Sequence, residues 1–375
     1  MILRTLTTLA AVTALTTSGI AAATPARGDL LSATPISALG QEQVVDLLEP
    51  AGIDTRVVRH GVDAYRLEYR TVDPHGRRIM ASGTVVLPRT GDRRLPTVVF
   101  EHGTIAAKTD AGSVGPDTNR TAPIAFAAAG NAVVAPDYLG LGTGDGTHPY
   151  LDLPSTTTAS LDLLRAADEF TDRLDRRVRV TGFSQGGPVA MALAEELQRR
   201  GRLAAVAGVS GLYDLYGTQF PEALAGRVHP KLSTISSAYF LVSMQRLGRV
   251  RGDLFEVPGV APLFDGHHSG REIMEALPDT PHDLLTDHGV RLLEHPSRLL
   301  RHTTDGTCSG WTPRVPVRLY TATGGDELVP IGNSTHCRDA FGDDVPLVEV
   351  GRVDHNTSAA HSYPLIIDFF ASIGG

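Results

Sequence analysis

The chain has 375 residues, of which 42% are hydrophobic and 20% are charged, a composition typical of a folded globular protein with a sizeable core. This length suits one large domain with an insertion, or two domains. The formal net charge is -8 and the sequence pI is about 5.9, and no long lysine or arginine tract occurs. These features argue against a nucleic-acid partner.

The first 26 residues predict a secretory signal peptide. An early cation, Arg4, precedes a modestly apolar stretch rich in threonine and alanine, and small residues follow. We expect cleavage near Ala23 or Ala26 and therefore a secreted, extracellular protein. A membrane anchor is the alternative, but the stretch lacks the roughly 20 strongly apolar residues of a spanning helix. No other segment of the sequence is apolar enough, so we expect no stable membrane insertion.

Eight segments of the chain predict β-strands. Residues 62–72 and 78–88 alternate apolar and polar side chains, which predicts an antiparallel pair at a sheet edge. Short apolar runs follow, typical of strands buried on both faces of a parallel sheet. These six runs are residues 96–104, 131–138, 176–184, 203–211, 315–322 and 346–351.

Helical periodicity separates several of these runs, most clearly at residues 158–174 and 188–200. The alternation predicts an α/β fold: an eight-stranded, mostly parallel sheet with helices on both faces. The gap between the sixth and seventh strands is too long for a simple crossover, and its segments have helical patterns. We therefore predict a core of residues 27–211 and 313–375, with a helical cap inserted at residues 212–312.

A serine lies between glycines where the fifth predicted strand ends and a helix begins. Gly182, Ser184 and Gly186 form the pattern G-x-S-x-G. A serine held in a strained turn brings the residues two before and two after it against neighbouring backbone, which leaves room only for glycine. The turn exposes the hydroxyl and aims the positive end of the helix at the reacting centre. Ser184 is therefore the predicted nucleophile, and a small residue in a plain turn is the alternative.

A nucleophilic serine needs a histidine base that is oriented by an acid, in the chain order serine, acid, histidine. The loop after the seventh predicted strand offers Asp326 and Glu327, and we prefer Asp326 because it is closer to the strand end and its side chain is shorter. Asp214 is a weaker third candidate. The loop after the eighth strand offers His355 and His361. We prefer His355, because His361 is expected in the first turn of the following helix.

The negative charge that develops on a substrate carbonyl needs hydrogen-bond donors, which together form an oxyanion hole. One predicted donor is the backbone amide of Gln185, and the other should come from the loop after the third strand. We assign the second donor to the amide of Thr104, with Gly103 as the alternative. No metal is expected, because the histidines form no convincing ligand set and the adjacent His267 and His268 point in different directions in regular backbone.

The chain has two cysteines, Cys308 and Cys337, which we predict to form a disulfide. Export would place them in an oxidising compartment. Closing this loop would stabilise the fold by roughly 3 kcal/mol if the effect comes from chain entropy. Two separate buried thiols are the alternative.

Several segments together resemble the secreted α/β-hydrolase lipases and esterases, particularly the branch related to fungal lipase A and its bacterial relatives. They are EHGT, APDYLGLGTGDGTHPYL, TGFSQGG, WTPRVPVRLYTATGGDELVPIGNS and VDHNTSAAHSYPLIIDFF. The DYLGLG and HPYL parts are more specific than the serine motif itself. The resemblance implies ester hydrolysis through an acyl-enzyme without a cofactor, with Ser184 as nucleophile, Asp326 as acid and His355 as base. In this family the cap shapes the acyl pocket.

The sequence therefore predicts a secreted serine hydrolase that cleaves carboxylic esters. The expected partners are small-molecule or lipid esters with short to medium acyl chains, or acylglycerols. A peptidase or an acyltransferase built on the same site is the second hypothesis. A catalytically silent hydrolase fold that acts as a binding protein is the third, and its signature, the loss of a triad member, is not found in the sequence.

Overall fold

The computed structural model describes residues 26–305 and 307–374 of the chain, so the predicted signal peptide lies almost wholly outside the described residues. These residues form nine strands and twelve α-helices. The strands are β1 (Leu30–Leu39), β2 (Val62–Val72), β3 (Arg78–Pro88), β4 (Leu95–Glu101), β5 (Ala132–Pro136), β6 (Leu174–Phe183), β7 (Leu203–Val209), β8 (Val317–Thr321) and β9 (Leu347–Glu349). The helices are α1 (Gln41–Leu48), α2 (Thr121–Ala128), α3 (Leu153–Phe170), α4 (Gly186–Arg199), α5 (Phe220–Leu224), α6 (Pro230–Arg246), α7 (Gly270–Ala276), α8 (Pro281–Leu284), α9 (Asp287–Glu294), α10 (Arg298–Thr304), α11 (Gly332–Phe341) and α12 (His355–Ser372).

The described strands form a single sheet in the order β1-β2-β3-β5-β4-β6-β7-β8-β9. The pairs β1–β2, β2–β3 and β3–β5 are antiparallel, and every pair from β5 to β9 is parallel. The carboxyl ends of the parallel strands therefore share one edge of the sheet. Ligands of open α/β sheets bind outside that edge.

The sheet has nine strands rather than the predicted eight, because β1 was not predicted from the sequence. Its register against β2 shifts twice, between Leu30 and Ser32 and between Pro35 and Ser37. β1 is an edge strand with one neighbour, and its residues are half-buried or exposed without regular alternation. The hydrophobic alternation that marks β2 is therefore missing. Because β1 pairs with the outer side of β2, β2 is an inner strand and not the predicted edge strand.

Two hydrophobic clusters cover the two faces of the sheet. One packs α3 and α4 against it, and the other packs α1, α2 and α12 against the opposite face. Helices thus lie on both faces, as the alternation of strands and helices predicted. Among the described helices, none combines the length and the apolar character needed to cross a membrane.

The segment between β7 and β8 contains α5 to α10 and has a hydrophobic cluster of its own. Tyr239 of α6 stacks on Tyr150, which belongs to the loop between β5 and α3, with 4.5 Å between the ring centroids. Arg249, which follows α6, forms an ion pair with the buried Asp152 at 2.5 Å. A ring stack and an ion pair thus join the inserted helices to the loop between β5 and α3.

Cys308 and Cys337 form a disulfide, as predicted, with a Cα–Cα distance of 5.1 Å. Both cysteines are buried in the hydrophobic cluster that also contains α3 and α4. The bridge joins the end of the inserted segment to α11. It therefore fixes the chain where it returns from the inserted helices to the sheet.

Candidate active site

Ser184 occupies a tight turn between β6 and α4. Its φ is +55°, in the left-handed region that non-glycine residues rarely adopt. A Cβ on Gly182 would lie 2.0 Å from the carbonyl oxygen of Gly186, and a Cβ on Gly186 would lie 2.1 Å from the carbonyl oxygen of Glu101. The turn therefore excludes side chains at both flanking positions, which is the steric reason for the G-x-S-x-G spacing.

Asp326 and His355 meet at the carboxyl edge of the sheet, in the loop after β8 and at the start of α12. Nδ1 of His355 lies 2.8 Å from Oδ2 of Asp326, and each side chain is 4% exposed. Oδ1 of Asp326 accepts hydrogen bonds from the backbone amides of Leu328 and Val329 at 2.9 and 2.8 Å. Both carboxylate oxygens thus have fixed partners, so the carboxylate can hold the imidazole in one orientation.

Glu327 contacts the backbone of His355 and not its ring. Its carboxylate accepts a hydrogen bond from the N–H of His355 at 3.0 Å. Its carbonyl oxygen accepts one from the N–H of His229 at 2.7 Å, at the start of α6. The sequence offered Glu327 only as an alternative acid, and this backbone contact, which requires the folded loops, was not predicted.

His355 is the first residue of α12 and not, as predicted, a residue of the preceding loop. The side chain of Asp354 accepts a hydrogen bond from the N–H of Thr357 at 2.9 Å and caps the helix there. The sequence predicts His361 in the first turn of this helix, but a helix begins where its first amide groups are capped. His361 therefore lies in the second turn of α12 and not in the first.

The remaining candidates have other partners. Asp214 accepts hydrogen bonds from the N–H of Gly217 at 3.0 Å and from the hydroxyl of Thr218 at 2.7 Å, which makes it a cap of a local turn. His361 is exposed, and its Nδ1 lies 3.3 Å from the carbonyl oxygen of Val350. In residues 26–305 and 307–374, no group of three or more histidine, cysteine, aspartate or glutamate residues could hold a metal ion.

Gln185 and Thr104 lie on two loops that meet at the serine. Gln185 directly precedes α4, and amide groups at a helix N-terminus have no partner within the helix. Thr104 follows Gly103 in the loop that begins with His102 after β4. A Cβ on Gly103 would lie 3.2 Å from the ring of Phe183 and 3.5 Å from Cβ of Ser184. The loop of Thr104 therefore passes close to the serine.

Ser184 and His355 both line a cavity of about 770 Å³. Most of the wall is apolar, and α6 and α7 contribute Ile235, Ile273 and Met274 to it. Such a cavity suits an apolar ligand with one polar reactive group. A cavity of about 1010 Å³ between α4 and α10 has many charged side chains and contains neither Ser184 nor His355.

Buried ionisable groups surround the serine turn. Burial raises the pKa of Glu101 to about 8 and that of Tyr150 to about 12. Burial, with a contribution from the neighbouring His102, lowers the pKa of His148 to about 3. Burial also lowers the pKa of His102. At neutral pH the two histidines and the tyrosine are therefore uncharged, and Glu101 is mostly protonated.

No protein-family model matches the sequence, and no curated protein matches it. Solved structures do match it. A Legionella pneumophila protein assigned as a hydrolase has a TM-score of 0.83 at 23% identity, covering 92% of this chain and 98% of that one. The rice cell wall degrading esterase LipA from Xanthomonas oryzae has a TM-score of 0.75 at 25% identity, with 92% and 97% covered. Candida antarctica lipase A has a TM-score of 0.62 at 15% identity, with 88% and 78% covered.

The chain has the α/β-hydrolase fold. The neighbours confirm this prediction and the resemblance to lipase A-like lipases and esterases, and the predicted class of carboxylic ester hydrolase agrees with them. In this fold the predicted site residues follow three parallel strands: Ser184 follows β6, Asp326 follows β8 and His355 follows β9. They therefore lie at the carboxyl edge of the sheet.

Proposed function

We propose that the protein is a secreted serine hydrolase that cleaves carboxylic esters through an acyl-enzyme. The observation that carries the proposal is the 2.8 Å contact between Asp326 and His355, at the wall of the cavity that Ser184 also lines. The similarity of the fold to an esterase and a lipase supports the same class.

In the proposed mechanism the hydroxyl of Ser184 attacks the ester carbonyl while Nε2 of His355 takes its proton. Asp326 holds the imidazole by Nδ1 and stabilises the imidazolium that forms. His355 then gives the proton to the departing alcohol oxygen, and the acyl group stays on Ser184. A water molecule attacks the acyl-enzyme while His355 takes its proton. His355 then returns this proton to Oγ of Ser184 as the bond between Oγ and the acyl carbon breaks, and the carboxylic acid leaves. The amides of Gln185 and Thr104 donate to the oxyanion in both halves of the reaction.

Esters with short to medium acyl chains, or acylglycerols, are the proposed substrates. The cavity is about 770 Å³, and its apolar wall comes partly from the inserted helices. Burial of an acyl chain there is favourable by about 0.8 kcal/mol for each methylene group removed from water. Residues 212–312 are accordingly proposed as the cap that shapes the acyl pocket, on a core of residues 27–211 and 313–375.

Export is part of the proposal. The disulfide between Cys308 and Cys337 fits an oxidising compartment. N-terminal sequencing of the protein from the culture medium of its producing cells is expected to begin just after Ala23 or Ala26. A protein that keeps its first residues and stays inside the cell would contradict this part.

The main test is a panel of nitrophenyl esters of increasing acyl length, together with a fluorophosphonate probe. Wild type should turn over short or medium esters and be labelled at Ser184, and Ser184→Ala should lose at least about 10³-fold in kcat. Failure of wild type both to turn over any ester and to be labelled would overturn the proposal. A preference for peptides or for acyl acceptors other than water would instead identify the peptidase or acyltransferase alternative.

A further inference from the structure

The segment HPYL, residues 148–151, has no part in the mechanism above, yet two of its side chains contact the two proposed oxyanion residues. Nε2 of His148 lies 2.9 Å from Nε2 of Gln185. The hydroxyl of Tyr150 lies 3.0 Å from Oγ1 of Thr104. His148, Tyr150 and Gln185 are buried, so bulk water does not compete for the contact of His148 with Gln185, whereas Thr104 is exposed. One short segment thus reaches both donor loops.

The direction of the contact between His148 and Gln185 follows from the neighbouring groups. Nδ1 of His148 lies 3.1 Å from the carbonyl oxygen of Leu139, which can only accept, so the neutral ring donates from Nδ1. Nε2 is then an acceptor, and the side-chain amide of Gln185 donates to it. Burial keeps the ring neutral, because the pKa of His148 is lowered to about 3.

Ring packing holds the segment in place. The ring of His148 stacks on Tyr138 with 5.7 Å between the centroids, and Tyr138 packs on His102 at 4.0 Å. Tyr150 stacks on Tyr239 of α6 at 4.5 Å with an interplanar angle of 3°. The segment therefore packs against the loops that follow β4 and β5 and against α6 of the inserted helices, and it can hold two loops at a constant separation.

We propose that His148 and Tyr150 are positioning residues that hold the backbone amides of Gln185 and Thr104 at the separation the oxyanion requires. The inference rests on the proposed function, since it needs an oxyanion at this place. Donors stabilise an oxyanion only at about 2.7–3.1 Å and in good alignment. A small displacement of either loop therefore lowers kcat and leaves substrate binding nearly unchanged.

Two double-mutant cycles test the inference. One combines Tyr150→Phe with Thr104→Val, and the other combines His148→Phe with Gln185→Met. Each change keeps the backbone amide and most of the volume. Tyr150→Phe, Thr104→Val and Gln185→Met each remove the side-chain hydrogen bond of the cycle, whereas His148→Phe also removes the hydrogen bond from Nδ1 to the carbonyl of Leu139. Each single variant should lower kcat for a nitrophenyl ester by about 10-fold, less than the ~10²-fold or greater loss expected when a donor is deleted. KM should stay within about twofold, and each double variant should lose no more than its worse single variant.

A matched control exists in Tyr216 and Thr304, whose hydroxyl oxygens lie 3.1 Å apart in a buried contact of the same kind. Neither residue lines the cavity of Ser184. The variants Tyr216→Phe and Thr304→Val should keep both kcat and KM. Thermal unfolding of all variants shows which of them fold. If His148→Phe does not fold, Gln185→Met, which leaves the buried histidine intact, tests the second contact as a single variant, through its expected loss of kcat at unchanged KM.

Three results would overturn the inference: an unchanged kcat in Tyr150→Phe and in the variants of the second cycle, additive losses within both cycles, or a loss confined to KM. A wild type that turns over no ester and is not labelled at Ser184 would overturn the proposed function, and the inference with it. The two failures are therefore distinguishable, because in the first the wild type remains an active, labelled enzyme.

Discussion

The turn that holds Ser184 requires glycine at position 186, because there is no room for a side chain. A Cβ there would lie 2.1 Å from the carbonyl oxygen of Glu101, and backbone cannot move aside as a flexible side chain can. We expect Gly186→Ala to lower the free energy of unfolding by about 3 kcal/mol. Urea unfolding of both proteins measures this difference in the free energy of unfolding. Gly91→Ala, where a Cβ meets nothing within 4 Å, is the matched control and should change it by less than about 0.5 kcal/mol.

Glu101 should make stability depend on pH. Burial raises its pKa from 4.5 to about 8. Between these two pH values, Glu101 therefore binds more protons in the folded state than in the unfolded state. Its contribution to stability is complete below about pH 4.5 and is lost as the pH rises towards 8. Glu101→Gln cannot ionise, so its Tm should fall less between pH 5 and pH 9 than that of wild type. The exposed residue Glu349 supplies the control variant Glu349→Gln. An equal change of Tm with pH in wild type, Glu101→Gln and Glu349→Gln would contradict this expectation.

The two histidines of α12 give a direct test of the base. His355→Ala should lower kcat by at least about 10³-fold, because it removes the proposed proton acceptor. His361→Ala should keep kcat within about twofold, since this exposed ring contacts only a backbone carbonyl. Steady-state kinetics with one nitrophenyl ester compares the two, and the opposite result would reassign the base.

At the scale of elements, the strands that bear the site could be predicted because their apolar runs depend on local sequence alone. The predicted strands at residues 176–184, 315–322 and 346–351 overlap β6, β8 and β9. β1 could not be predicted in this way, because an edge strand is stabilised by its pairing with β2 rather than by burial of a hydrophobic face. The start of α12 was misplaced because the cap by Asp354 matters more than the apolar run.

The candidate catalytic residues could be predicted from the sequence, but the contacts around them could not. The order of serine, acid and histidine loops follows from the strand count, so the three residues could be proposed without coordinates. The contacts of Glu327, His148 and Tyr150 could not, because each joins loops that are distant in sequence and meet only after the sheet has formed. The HPYL segment was recognised as characteristic, but its sequence alone did not indicate what it touches.

The disulfide should matter for the stability of the segment that returns to the sheet. The two cysteines are 29 residues apart, and closure of such a loop contributes about 3 kcal/mol in the chain-entropy description. We expect the Cys308→Ser/Cys337→Ser double variant to lose about that much free energy of unfolding in urea. Thiol titration of denatured, unreduced wild type should find no reactive thiol, and two reactive thiols would contradict the bridge.

For the molecule as a whole, the inserted helices should stay in place during catalysis. The ion pair of Asp152 and Arg249 is buried, with 1% and 15% of the side chains exposed, and separating it would leave a charge without a partner. The hydroxyl of Tyr239 also donates to the carbonyl of Ile105 at 3.3 Å. We therefore expect no jump in the rate with tributyrin as its concentration passes the solubility limit. A sigmoidal increase at that limit would show that the cap opens at an interface.

The stack of Tyr150 on Tyr239 has a consequence for engineering. A substitution in α6 that widens the cavity of Ser184 and shifts Tyr239 will also shift Tyr150, and with it the loop that carries Thr104. Substrate range and turnover rate are then coupled traits, and libraries aimed at α6 will yield many variants that accept a new ester but process it slowly. Met274 of α7 is a better first target, because it lines the cavity and is 41% exposed.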